Sequence, residues 1–256
     1  GFHEWDQKEH AKEWLLFPEN IGEKLSIDET AISKDELYTI VTNKAARGKK
    51  GAIIAIVYGT KSDIVSNILN KISLEKRAIV KEVTLDMSNS MDAIIRKSFP
   101  NATIVTDRFH VQQLVSDAVQ EIRVAYRREA LKEENEAIKK AREEKQIYHP
   151  TTYENGDTKK QLLARSRYLL FKPSNNWSVQ QQERSKILFE EFSQLEHAHN
   201  ISMLFRSIYE NSKIISDAKL KLENWYKKIE NEKIEPFYLA VETIRLHETT
   251  ILNYFV

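Results

Sequence analysis

Apolar and β-branched residues gather in three short runs early in the chain, at residues 25–32 (LSIDETAI), 36–42 (ELYTIVT) and 52–58 (AIIAIVY), each bounded by charged or turn-forming segments. Such runs predict strands. The connection KAARGKKG carries two glycines and four basic residues, which predicts a hairpin between the second and third strands. Beyond it, Ile64, Ile68 and Ile72 recur at helical spacing behind Ser62 and Asp63, so a helix is expected there. IVKEVTLDMS predicts a fourth strand ending at Asp86, SMDAIIRKSF a short helix stopped by Pro100, and ATIVTDRFHV a fifth strand leading into Asp107 and His110. Three strands able to pair antiparallel, followed by alternating helices and strands, describe a mixed α/β sheet covered by helices.

From about residue 111 the texture changes. Val111, Leu114, Val115, Ala118, Val119, Ile122 and Tyr126 form one face of a helix that is expected to continue into the 130s and 140s. Its later part, REALKEENEAIKKAREEK, is polar enough to be a solvated helix held by Glu/Lys pairs. After a break at YHPTTYENGD, residues 160–172, 178–195, 197–210, 213–229 and 235–252 all show helical apolar faces. The pattern divides the chain into a helical lead-in at 1–24, a sheet core at 25–110 and a helical region at 111–256.

Composition narrows this picture only a little. With 41% hydrophobic residues the chain can bury a real core, and 39 basic against 38 acidic side chains nearly cancel, so a nucleic-acid partner needs local basic patches. Cysteine is absent, which excludes disulfides and Cys-based zinc sites within these residues and fits a reducing cytoplasm. The longest apolar run, GAIIAIVYG, is far short of the about 20 residues needed to span a bilayer, and GFHEWDQKEH has no signal-peptide pattern. The expectation is a cytoplasmic protein with no membrane partner.

Asp28 and Glu29 interrupt a run in which a sheet usually buries Ile and Val. If the first and fourth strands are neighbours, Asp28 and Asp86 approach each other, and two such carboxylates repel unless a cation or proton intervenes. Oxygen-only ligands suit magnesium or manganese, which activate water and stabilise phosphoryl oxygens. The bland alternative is that Asp28 caps a turn or pairs with a lysine. Strand alternation puts Glu29 on the opposite face, in a structural or supporting role.

LSIDETAIS, ELYTIVTNKAARGKKG, VKEVTLDMS, FPNATIVTDRFHVQQL and QLLARSRYLLFK together resemble the DDE transposases of bacterial insertion sequences, of the ISL-three type. The resemblance implies a ribonuclease-H-like catalytic domain with a large helical insertion, magnesium or manganese as cofactor, double-stranded DNA at element ends and target as partner, and a homo-oligomer on that DNA. It assigns Asp28 and Asp86 as the first and second catalytic, metal-holding carboxylates. Asp107, Arg108 and His110 of the DRFHV signature become active-site neighbours, with Asp86 preferred over Asp107 as second acid.

The family's third carboxylate lies in a small-x-E-x-x-N segment that these residues do not contain, and Glu242 and Glu248 lack its context. The chain is therefore expected to be a fragment, without the family's N-terminal zinc-binding and helix-turn-helix segments, and inactive alone. Lys44, Arg47, Lys49 and Lys50 form one candidate DNA-contacting loop, and Arg165, Arg167 and Lys172, with Trp177 nearby, a second. Two alternatives are another ribonuclease-H-like nuclease or resolvase, and a non-catalytic helical DNA-binding or protein-interaction module in which Asp28 and Asp86 lie far apart.

Overall fold

A computed structural model describes residues 5–33 and 36–256. In chain order its first elements are β1 (Trp14–Leu16), β2 (Lys24–Ser33), β3 (Glu36–Asn43), β4 (Ile53–Tyr58), α1 (Ser62–Leu69), α2 (Leu74–Ala78), β5 (Glu82–Leu85), α3 (Asn89–Ser98) and β6 (Thr103–Thr106). The strands form one sheet in the order β1-β4-β3-β2-β5-β6. β2, β3 and β4 pair antiparallel, whereas β5 lies parallel to β2 and β6 parallel to β5. This is the mixed sheet that the sequence pattern describes, with the first and fourth predicted strands (β2 and β5) side by side.

Alternation along β2 explains its place in the sheet. Leu25 and Ile27, 0% and 2% exposed, face one side, where they join Val41, Ile54, Val83 and Leu85. Val65 and Leu69 of α1 and Met91, Ile94 and Ile95 of α3 close over that layer. Ser26 and Asp28 face the other way. The β3–β4 hairpin needs its glycines: Gly48 and Gly51 take positive φ, at 73° and 85°, which only glycine does without steric cost.

The lead-in departs from the helix expected of it. Residues 6–13 form turns, and Trp14–Leu16 adds an edge strand, Leu15 pairing with Ile56 of β4. Local bonds stabilise this arrangement, since the Gln7 side chain both donates to the Leu16 carbonyl and accepts from its N–H, and the His10 ring stacks on Trp14 at 3.4 Å. Residues 1–4 of the lead-in lie outside the described residues.

The remaining elements are helices: α4 (Arg108–Glu143), α5 (Lys159–Arg165), α6 (Val179–Glu191), α7 (Ser193–Asn211), α8 (Ile215–Glu232), α9 (Tyr238–Leu246) and α10 (Glu248–Leu252). The chain divides into two compact units, residues 1–110 with 247–256, and residues 111–246. In the second, α6, α7 and α8 pack in succession around Leu188, Leu195, Phe205, Leu222 and Trp225. Its loop 152–158 is pinned by Asp157, fully buried and ion-paired to both Arg165 and Arg184. Residues 247–256 return to the sheet, where Thr250 and Asn253 bond to Thr106 and to the Ile104 carbonyl, each at 2.7 Å. No helix among the described residues is long and apolar enough to cross a membrane.

Candidate active site

Three aspartates follow the paired ends of three neighbouring strands. Ser26 pairs with Thr84, and Thr84 with Val105. Two residues beyond these are Asp28, Asp86 and Asp107, the last two just past the ends of β5 and β6. The Asp107 N–H still donates to the Leu85 carbonyl at 2.7 Å, so the β5–β6 bonding reaches Asp107. Neighbouring strands lie about 4.8 Å apart.

Each acid also has a local task. Asp28 accepts from the Glu29 N–H at 2.8 Å. Asp86 accepts from the Ser88 N–H at 2.9 Å, closing the turn that starts α3. Asp107 accepts from the Phe109 N–H at 2.8 Å and so caps α4, a 36-residue helix whose first N–H groups need an acceptor. That cap accounts for Asp107 without any catalytic duty. Arg108 and His110 follow in the first turn of α4, the His110 ring lying edge-on to Phe109 at 5.5 Å. Phe109 is 67% exposed.

Partial burial, then the negative charges of Asp86 and Asp28, raise the Glu29 carboxyl above the usual glutamate range. Glu29 thus belongs to the same electrostatic cluster, although strand alternation assigns it to the other face. Sequence spacing misses this because Asp86 sits just past the end of β5, where alternation no longer dictates direction. Among the described residues no group of three His, Cys, Asp or Glu is gathered closely enough to hold a metal ion.

Lys44, from the hairpin loop, reaches this face. Its ammonium donates to Glu82 and to Thr84 Oγ1, both at 2.8 Å, and Lys24 holds the other Glu82 oxygen. Burial raises Glu82, but the bonds from Lys24 and Lys44 outweigh it and lower the carboxyl below its ordinary value. Lys44 is therefore engaged, whereas Arg47, Lys49 and Lys50 are exposed.

The second basic group separates in a similar way. Arg165 is committed to Asp157, while Arg167 and Lys172 are exposed. Trp177 is a packing residue: its indole N–H donates to the Leu169 carbonyl at 2.8 Å, and its ring lies against Phe189 and His199. Of the two late glutamates, Glu242 lies in α9 and Glu248 starts α10, the helix packed on β6.

Residues 25–256 match a transposase family, the DDE family of the ISL3 type. No curated protein and no solved structure matches the chain.

Proposed function

Because the chain belongs to the ISL3-type DDE transposase family, an enzyme family acting on DNA, we propose that Asp28 and Asp86 are its first two catalytic carboxylates, serving DNA strand cleavage and strand transfer at insertion-sequence ends. The observation that supports this reading is the register: β2 pairs parallel with β5 up to Ser26 and Thr84, and Asp28 and Asp86 each follow two residues beyond that pair.

The residues present fit a divalent cation by donor chemistry. Both are hard oxygen donors, and the Glu29 carboxyl is raised by partial burial first and then by the negative charges of Asp86 and Asp28. Magnesium binds through one or two protein carboxylates, keeping waters and taking substrate phosphate oxygens for the rest, and Asp28 and Asp86 are the carboxylates these residues would offer it. When bound, magnesium or manganese supplies activation of water and neutralisation of phosphoryl charge.

The protein's own part is positioning. In the first step a water oxygen attacks the phosphorus at the element's end, the P–O bond to the 3′ oxygen breaks, and that oxygen leaves with a proton as a 3′ hydroxyl. In the second this hydroxyl attacks a target phosphodiester, losing its proton as a new P–O bond forms and the target strand's own 3′ oxygen leaves. Both are in-line displacements, in which alignment supplies much of the rate. Asp28 and Asp86 fix the reacting centre to a rigid sheet, and Arg47, Lys49 and Lys50 offer phosphate contacts from the hairpin loop. Asp107 keeps α4 capped, and Arg108 and His110 follow it in the first turn of that helix.

Iron-directed cleavage tests the placement. With Fe²⁺, ascorbate and peroxide, backbone cuts are expected next to Asp28 and Asp86, suppressed by excess magnesium and absent in Asp28→Asn. Cuts elsewhere, or cuts that survive in that variant, overturn the assignment.

A further inference from the structure

A group of arginines in the helical unit centres on Arg123 of α4. Arg123 is only 7% exposed, and its two bonds go to neutral acceptors: Nε donates to Gln120 Oε1 at 2.6 Å and Nη1 to the Leu163 carbonyl at 3.0 Å. Burying a guanidinium is costly without an anion beside it, and no carboxylate among the described residues forms an ion pair with Arg123.

Two further arginines are brought to the same place. Arg127 stands one turn further along α4, on the same face as Arg123. Arg167 is drawn in through Gln120, whose Nε2 donates to the Arg167 carbonyl at 3.2 Å while its Oε1 holds Arg123. Tyr168, 65% exposed, supports the Arg167 guanidinium at 5.6 Å from its ring. Arg127 and Arg167 are exposed, and neither forms an ion pair among the described residues. Burial first, and then the positive charges of Arg167 and Arg127, hold the Arg123 pKa below the ordinary arginine range.

Neighbouring Arg165 shows the contrast, since it is matched to the buried carboxylate of Asp157. Like charges one helical turn apart are unfavourable, so the cluster carries a cost that a bound anion would remove. Guanidinium groups suit phosphate best, binding two oxygens of one group in a planar fork.

We propose that Arg123, Arg127 and Arg167 form a seat for the phosphodiester backbone of DNA, with the buried Arg123 as its floor and the two exposed arginines as its rims. The choice of DNA among phosphate-bearing partners rests on the transposase reading above. Because the contacts are to backbone, the seat contributes affinity without reading sequence.

The test is fluorescence anisotropy of a labelled duplex with the chain 1–256, repeated over a range of salt. Arg127→Gln and Arg167→Gln are each expected to lower the magnitude of the slope of log K against log salt by about 0.9, the value for one lost phosphate contact. Lys139→Gln and Lys140→Gln, further along the same helix, leave the slope unchanged. Thermal melts establish that the exposed variants remain folded. Slopes equal to the parent's in both arginine variants overturn the seat and leave the transposase reading untouched. A parent that binds no duplex also overturns it, whereas the fate of Asp28 and Asp86 is decided separately by metal binding.

Discussion

Asp157→Asn removes the charge that two arginines share. The parent carboxylate is 1% exposed; its partner Arg184 is 19% exposed at 2.9 Å, and its partner Arg165 is 56% exposed. Asn155 adds a bond at 3.1 Å. Breaking a buried pair by removing one partner costs about 3–5 kcal/mol, because the other charge is left buried and uncompensated. Only Arg184 is substantially buried, and pairs with exposed partners are worth under about 1 kcal/mol, so the low end applies, about 3 kcal/mol. For a unit of this size that corresponds to a fall of about 6–12 °C in melting temperature. Circular dichroism at 222 nm follows the helical unit directly. Arg184→Gln should cost more than Arg165→Gln, because it is the buried partner. A melting point for Asp157→Asn within about 2 °C of the parent's would refute the view that this ion pair holds the 152–158 loop.

Asp107→Ala deletes the cap of α4 and should cost about 1 kcal/mol, whereas Asp107→Asn keeps an acceptor and stays close to the parent; equal losses in thermal melts would contradict a capping role. His199 is 3% exposed, and its Nε2–H donates to the Lys172 carbonyl. Burial lowers its pKa against the smaller raising effects of that bond and of Glu196, so the fold resists a proton that the unfolded chain accepts near pH 6.5. Stability is therefore full above about pH 6.5 and falls as pH drops towards the folded pKa; melting curves from about pH 7.5 to 5 should slope less in His199→Gln. Glu29 should titrate above the usual glutamate range by carboxyl-detected NMR and move down in Asp86→Asn; no movement would mean that Asp86 lies outside its field.

Much of the fold is legible in the sequence because its signals are periodic. β-branched runs mark β2, β3, β4, β5 and β6, and apolar spacing marks the helices from α4 onward. β1 is not legible, because three residues, Trp14 to Leu16, are too short for alternation to show, and they become a strand only by pairing with the edge of β4. Asp28 and Asp86 stand out as acids in apolar runs. That each follows two residues beyond the Ser26–Thr84 pair is a property of the β2–β5 register, which no local pattern encodes. The fate of the basic residues was hidden for the same reason: Lys44 and Arg165 read like Lys49 and Arg167 until distant Glu82 and Asp157 are brought to them. Arg123 passes in the sequence for one charge among many on α4, and only packing under Leu163 distinguishes it.

The central claim is that Asp28 and Asp86 share one divalent cation, and manganese binding measured by calorimetry tests it most directly. The account predicts that the parent chain binds Mn²⁺ and that Asp28→Asn and Asp86→Asn each abolish the binding heat, while Asp107→Asn retains it. Binding that persists in either of the first two variants, or a parent that takes up no manganese, would contradict it.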